Sequence, residues 1–240
     1  MAGRELSVVR PTVRTVTDLQ TSAPARAGTD TGGGSRRGAV PGAVAGLRGL
    51  ALTQIPFAVV DVETTGWSPA EARITEVAAI RVRAGRVTGE FSTLVDPAVP
   101  VPADIEALTG ISSQMVSAAP PAADALPALL SFAHGCVLAA HNAPFDLGFL
   151  TAACRECGLS WPDFPVLDTV AVARQVLVCG EVPDCKLATL AAFFEVPDAP
   201  CHRALADARA TAAVLDVLLT RLAVVGIRTL DDLGARLAVP

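Results

Sequence analysis

The chain reads as an α/β protein, a mixed β-sheet flanked by helices on both faces. Residues 56–63, 74–84 and 88–95 are three successive apolar-rich runs parted by turn signals, as in antiparallel strands. After residue 100, helical periodicity alternates with a short apolar run at 136–140. That run, Cys136-Val137-Leu138-Ala139-Ala140, follows Gly135 and carries no polar side chain, so it reads as a buried strand. A hairpin-led sheet followed by alternating strands and helices gives a mixed sheet with two helical layers.

Taken in order, the first strand ends in Val59-Val60-Asp61-Val62-Glu63-Thr64-Thr65-Gly66. In the second, Ile74, Val77, Ala79 and the alternation Arg81-Val82-Arg83 predict a partly solvent-facing strand, and Ala84-Gly85 the turn into the third. Short helices near 103–109 and 121–133 have prolines at their starts, where a missing N–H costs little. Strand 136–140 leads through Asn142, a candidate N-cap, and Pro144 into a helix to about residue 157. Further helices are predicted from Asp168-Thr169 to about 178, from Lys186 to Phe194, and over 203–225. In the last, Leu205, Ala208, Ala212, Leu215, Leu219 and Leu222 step by three and four along one face. Thr229-Leu230-Asp231-Asp232 has the form of a capping box opening a final short helix.

The chain has 240 residues, enough for one substantial core with appendages. Residues 51–226 read as the domain and 227–240 as a short helical appendage. Residues 1–50 hold seven arginines against three acids, with a Gly-Ser-Arg stretch at 32–38, and read as a disordered basic extension. Such a tail is either a tolerated appendage or an aid in holding a phosphate backbone. It lacks the apolar segment of a signal peptide. The remaining 190 residues carry 12 basic and 21 acidic side chains, which argues against a broad duplex-binding face. No run of 18 uncharged apolar residues occurs, so no membrane span is expected, and the cytoplasm is the default location. Cys154-x-x-Cys157 has zinc-type spacing but lies on an inward helical stripe without a second such pair; the six cysteines read as buried, reduced thiols.

The chemistry-bearing residues fall in three groups. Asp61 and Glu63, two apart on a strand, project to one side at the edge of a core. Two such carboxylates repel each other unless a cation shares the site, and a divalent metal is the simplest that fits. The second group is His141-Asn142-Ala143-Pro144-Phe145-Asp146, which puts Asp146 early in a helix and on its buried stripe. By itself Asp146 also reads as an ordinary N-terminal helix charge. The third is His202-Arg203-Ala204-Leu205-Ala206-Asp207. Five apart, His202 and Asp207 cannot share one helical face, so His202 is expected on the entering loop and Asp207 in the first turns. Alone, His202 would pass for a surface or capping histidine.

Together and in this order, Asp61-x-Glu63, His-Asn-x-x-Phe-Asp146 and His202-x4-Asp207 resemble the three motifs of the DEDDh 3′–5′ exonucleases, of the DNA polymerase III epsilon type. Ala107-Leu108-Thr109-Gly110-Ile111-Ser112 and Lys186-Leu187-Ala188-Thr189-Leu190-Ala191 resemble further segments of that family, and the likeness covers about residues 55–225. Trp67 departs from it, standing where a smaller apolar residue is frequent.

The resemblance implies a ribonuclease H-like fold and metal-dependent hydrolysis of DNA 3′ ends to nucleoside 5′-monophosphates, in proofreading or repair. It implies that Asp61, Glu63, Asp146 and Asp207 hold two divalent cations, Mg²⁺ or Mn²⁺, clamping the attacking and leaving oxygens. It gives His202 the proton of the attacking water, a task suited to an imidazole. The family's alternative is a tyrosine, and this chain has none. Thr64, Thr65, Gly66, His141 and Asn142 are expected at the terminal nucleotide, with Trp67 and Phe145 as stacking faces; both aromatics also read as core. The expected partner is a single-stranded DNA 3′ end, and association with a DNA polymerase is open; no Gln-plus-aromatic sliding-clamp motif occurs. The alternatives are a 3′–5′ exoribonuclease on RNA ends or short oligoribonucleotides, and a non-catalytic module that binds nucleic acid or a polymerase.

Overall fold

The computed structural model describes residues 12–15, 47 and 49–237. Six strands form one sheet: β1 (Thr12–Thr15), β2 (Phe57–Thr64), β3 (Ile74–Arg83), β4 (Arg86–Leu94), β5 (Val137–Ala140) and β6 (Val166–Asp168). Their order across the sheet is β1-β4-β3-β2-β5-β6. The first four positions are antiparallel neighbours, whereas β2–β5 and β5–β6 are parallel, so the sheet is mixed as the sequence predicts. The segment 1–50, read as an extension, has its described piece β1 as an edge strand; most of the rest lies outside the described residues.

Helices α1 (Ala103–Thr109), α2 (Ser113–Val116) and α3 (Ala122–Ala133) follow the hairpin, and α4 (Ala143–Glu156) follows β5. Then come α5 (Thr169–Val176), α6 (Leu187–Phe193), α7 (Ala204–Val224) and α8 (Leu230–Leu237). The sheet separates two cores, sorted by strand parity. Phe57 and Val59 of β2, with Ala78 and Ile80 of β3, pack against α5, α6 and the apolar stripe of α7. Ala58, Val60 and Val62, with Val77 and Ala79, pack against α3 and α4. Leu215, Leu218 and Leu222 of α7 have no accessible surface, each stabilising the layer by about 1.5–3 kcal/mol.

Two sequence expectations are corrected here. The second strand is not solvent-facing over most of its length: Ile74 to Ile80 are buried on both faces because α7 and α3 cover them, and only Arg81–Arg83 emerge. The six cysteines are free, but Cys136 and Cys154 alone are buried, while Cys179 and Cys201 are exposed. β6 is an addition, three residues that carry too little periodicity to be seen in the sequence. No helix among the described residues is long and apolar enough to cross a membrane.

Candidate active site and metal centre

Strand parity fixes the first two acids. Asp61 and Glu63 share the parity of Phe57 and Val59, so they stand on the α7 side where β2 runs out of core. Beyond them Thr64 donates its hydroxyl to the Gly66 carbonyl. The Thr65 hydroxyl accepts from the Arg73 N–H, and the Thr65 N–H donates to the Arg73 carbonyl, closing the turn into β3. Thr65 is thus buried and turned away from its neighbours.

Asp146 arrives from the other helical layer. α4 packs through Phe149, Leu150 and Cys154 on the α3 side, and its first turn carries Asp146 to the end of β2, where Oδ1 accepts from Val62 N–H at 3.1 Å. Asn142 takes the N-cap position in a left-handed conformation (φ 68°) but its side chain makes no capping bond, which corrects the expected role. Asp168 does that work: its Oδ1 accepts from the N–H groups of Asn142, Ala143 and Val170 at 3.0, 3.4 and 3.0 Å, joining the starts of α4 and α5. His141 Nδ1 lies 2.9 Å from Thr169 Oγ1, and burial holds its pKa below the usual value despite the Asp168 carboxylate nearby.

Asp207 is buried in the first turn of α7, and its Oδ1 accepts from Cys201 N–H at 2.8 Å. That bond folds the entering loop back over the acid, leaving His202 exposed and in the left-handed region at φ 56°.

These residues meet in one cleft of about 160 Å³. It is lined by Asp61, Glu63, Asp146, Asp207, His202, Thr64, Gly66, Trp67, His141, Asn142 and Phe145. Of the sequence-predicted site residues only Thr65 lies outside it. Trp67 is 72% exposed and its ring centroid is 6.5 Å from that of Phe145, which in turn packs on Phe149 at 5.0 Å. Ile105, Leu108 and Thr109 of α1 form the facing wall. Sequence reasoning marked that segment by likeness alone and gave it no role. A larger cavity of about 560 Å³ lies between strands β2–β4 and α7 and is lined by none of the motif residues.

The cleft resists ionisation without a counter-charge. Burial, and then Asp146, Asp207, Glu63 and Glu76, push Asp61 well above the usual carboxylate range. Burial, then Asp207, Glu76 and Asp146, raises Glu63 to about 8, and burial raises Asp146 to about 8 against its bond from Val62. Glu63, His202 and Asp207 offer ligand atoms that all lie within 4.8 Å of one another. Oxygen donors, several of them buried and costly to ionise alone, fit hard divalent cations.

A pH dependence of stability follows. A carboxylate with a raised folded-state pKa holds its proton in the native protein after the unfolded chain has lost it, so stability declines as pH rises from about 4 towards 8. With chelator present, Tm should therefore fall between pH 5 and pH 8. A tenfold difference in proton affinity between the folded and unfolded chain is worth about 1.4 kcal/mol, and at two carboxylates it moves Tm by roughly 6–11 °C. Excess Mn²⁺ should remove most of the fall. A flat Tm in chelator, measured by scanning calorimetry, would contradict this electrostatic picture.

Comparison with known proteins gives consistent matches. The RNase T (exonuclease) family model matches residues 58–215. The chain is 46% identical over 195 residues to a bifunctional exonuclease/endonuclease protein of Mycobacterium tuberculosis, covering 78% of this chain and 30% of that one. It is 36% identical over 178 residues to the 3′–5′ exonuclease DinG of Bacillus subtilis, covering 74% and 19%. E. coli exonuclease I, solved with a dA16 oligonucleotide, superposes with a TM-score of 0.61 at 24% identity, over 70% of this chain and 41% of that one. The chain thus spans less than a third of the length of these two sequence relatives.

Proposed function

The chain belongs to the RNase T exonuclease family, and from that premise we propose that it is a metal-dependent 3′–5′ exonuclease on single-stranded DNA ends. It releases nucleoside 5′-monophosphates, in proofreading or repair. One observation carries this reading: four carboxylates and a histidine, from three separate stretches of sequence, line one cleft. Asp61, Glu63, Asp146 and Asp207 hold two Mg²⁺ or Mn²⁺ ions, which supply charge neutralisation at the scissile phosphate. His202, exposed at the mouth, takes the proton of the attacking water. The terminal base lies on Trp67 and Phe145, opposite Leu108, while Thr64, Gly66, His141 and Asn142 surround the sugar and phosphate; a stacked base is worth about 1–3 kcal/mol.

The acid-rich surface of residues 51–240 suits this division of labour, in which the metals and a small pocket grip only the last nucleotides. The cytoplasm is the proposed location, and docking to a DNA polymerase is compatible with a domain that occupies part of longer relatives.

The test is time-resolved degradation of matched single-stranded DNA and RNA oligomers with Mg²⁺, Mn²⁺ or chelator. Stepwise, metal-dependent shortening of DNA ahead of RNA from the 3′ end is the expected result. RNA ahead of DNA would replace the substrate assignment. No shortening of either by folded, metal-binding protein would leave a binding module instead.

A further inference from the structure

Glu76 is a buried acid that the scheme above does not use. It lies on β3 directly across from Glu63 in the antiparallel register, on the same face, and is 4% exposed. Like charges opposed across strands repel, so a fifth carboxylate beside the metal ligands needs a partner. Arg203 supplies it with a two-pronged fork, Nε to Oε2 at 3.0 Å and Nη2 to Oε1 at 2.9 Å. Oε2 also accepts from the Ala204 N–H at 2.9 Å, capping the start of α7, whose N-cap residue Arg203 offers no side-chain acceptor.

The consequence falls on the residue between two anchors. His202 has on one side Cys201, whose N–H is held by Asp207, and on the other Arg203 and Ala204, held by Glu76. Its backbone sits in the left-handed region, which a non-glycine side chain adopts only when its surroundings impose it. A long guanidinium fork fixes direction as well as distance, which a single ammonium does not.

We propose that Glu76 and Arg203 form a positioning pair that fixes the backbone of His202 and so aims its imidazole into the cleft. This rests on the exonuclease reading for its kinetic consequence but not for its structural one. Glu76 touches no substrate; it acts through Arg203 and the start of α7.

The test uses the full chain carrying Arg203→Lys, which keeps the charge and loses the fork, and Glu76→Gln, which keeps the shape and loses the charge. Arg209→Lys is the control, because Arg209 of α7 makes the same kind of fork with Glu90 of β4, at 2.9 and 2.7 Å, outside the active cleft. On single-stranded DNA, well below each variant's Tm, kcat should fall about 10–100-fold in both test variants while KM changes less than about threefold. Arg209→Lys should stay within twofold of wild type. The chain has three histidines, so the ring ¹H–¹³C signals of His134, His141 and His202 can be followed in metal-free protein. The His202 signal should move in Arg203→Lys and Glu76→Gln, and stay in Arg209→Lys. Unchanged kcat in the two test variants would overturn the proposal, as would a loss explained by unfolding. If wild type degrades nothing, the exonuclease reading fails and the histidine spectra decide alone: a fixed His202 signal then overturns the pair and a displaced one supports it.

Discussion

Asp61→Ala should abolish turnover, a loss of at least about 10³-fold, equivalent to the several kcal/mol that a bound metal supplies in the transition state. The stability of the same variant should move the other way or not at all. Burial and four neighbouring acids all disfavour the charged form of Asp61, so in chelator its removal takes away a carboxylate that is costly to ionise there and sacrifices no ion pair. The expected pair of results is therefore no shortening of a 3′-labelled oligomer and a Tm in chelator equal to or above that of wild type. Adding Mn²⁺ should raise the wild-type Tm more than that of the variant, since binding to the native state alone stabilises it by mass action. Retained activity would sink the metal scheme. A Tm several degrees lower in chelator would show that the carboxylate makes a stabilising contact that repulsion does not outweigh.

Most of the site was legible in the sequence because each motif sits where local physics fixes it. Period two placed Asp61 and Glu63 on one face of β2, and an apolar stripe put Asp146 on the buried side of α4. What escaped was whatever depended on pairing between distant strands or helices. Glu76 looked like one more polar residue in a strand, because its importance comes from the β2–β3 register and from Arg203, 127 residues away. Asp168 was seen as the start of a helix, yet its main task is to cap the neighbouring helix as well, which only the parallel β5–β6 pairing makes possible. Asn142 failed as a cap for a local reason: Pro144 has no N–H to offer, the Phe145 N–H goes to the Asn142 carbonyl, and the left-handed backbone leaves the side chain at the cleft. Thr65 looked like its neighbours in sequence, but the turn hydrogen bonds to Arg73 consume it. The buried face of β3 was misread because its arginines at 81 and 83 stand at the strand's end, Arg81 on the α3 side where it donates to the Phe132 carbonyl, so they report on the strand's end rather than its length.

His202→Ala should slow hydrolysis about 10²–10⁴-fold, the usual contribution of a positioned general base. The geometry allows a rival role, since His202 offers a ring nitrogen within 4.8 Å of ligand atoms of Glu63 and Asp207. The two roles part on metal binding. A base that takes a proton from water leaves the oxygen ligands intact, so Mn²⁺ affinity measured by calorimetry should stay within about threefold of wild type; a ligand's loss would weaken it by considerably more. Backbone strain complicates the alanine variant, because position 202 sits at φ 56°, where alanine is no more at ease than histidine. His202→Asn answers this: asparagine tolerates the left-handed region, so the loop keeps its course between the Asp207 and Glu76 anchors while the base is gone. The two variants should lose activity to a similar degree. If His202→Asn recovers most of the rate, the backbone of the loop rather than the imidazole is what the reaction needs, and the proton goes to solvent.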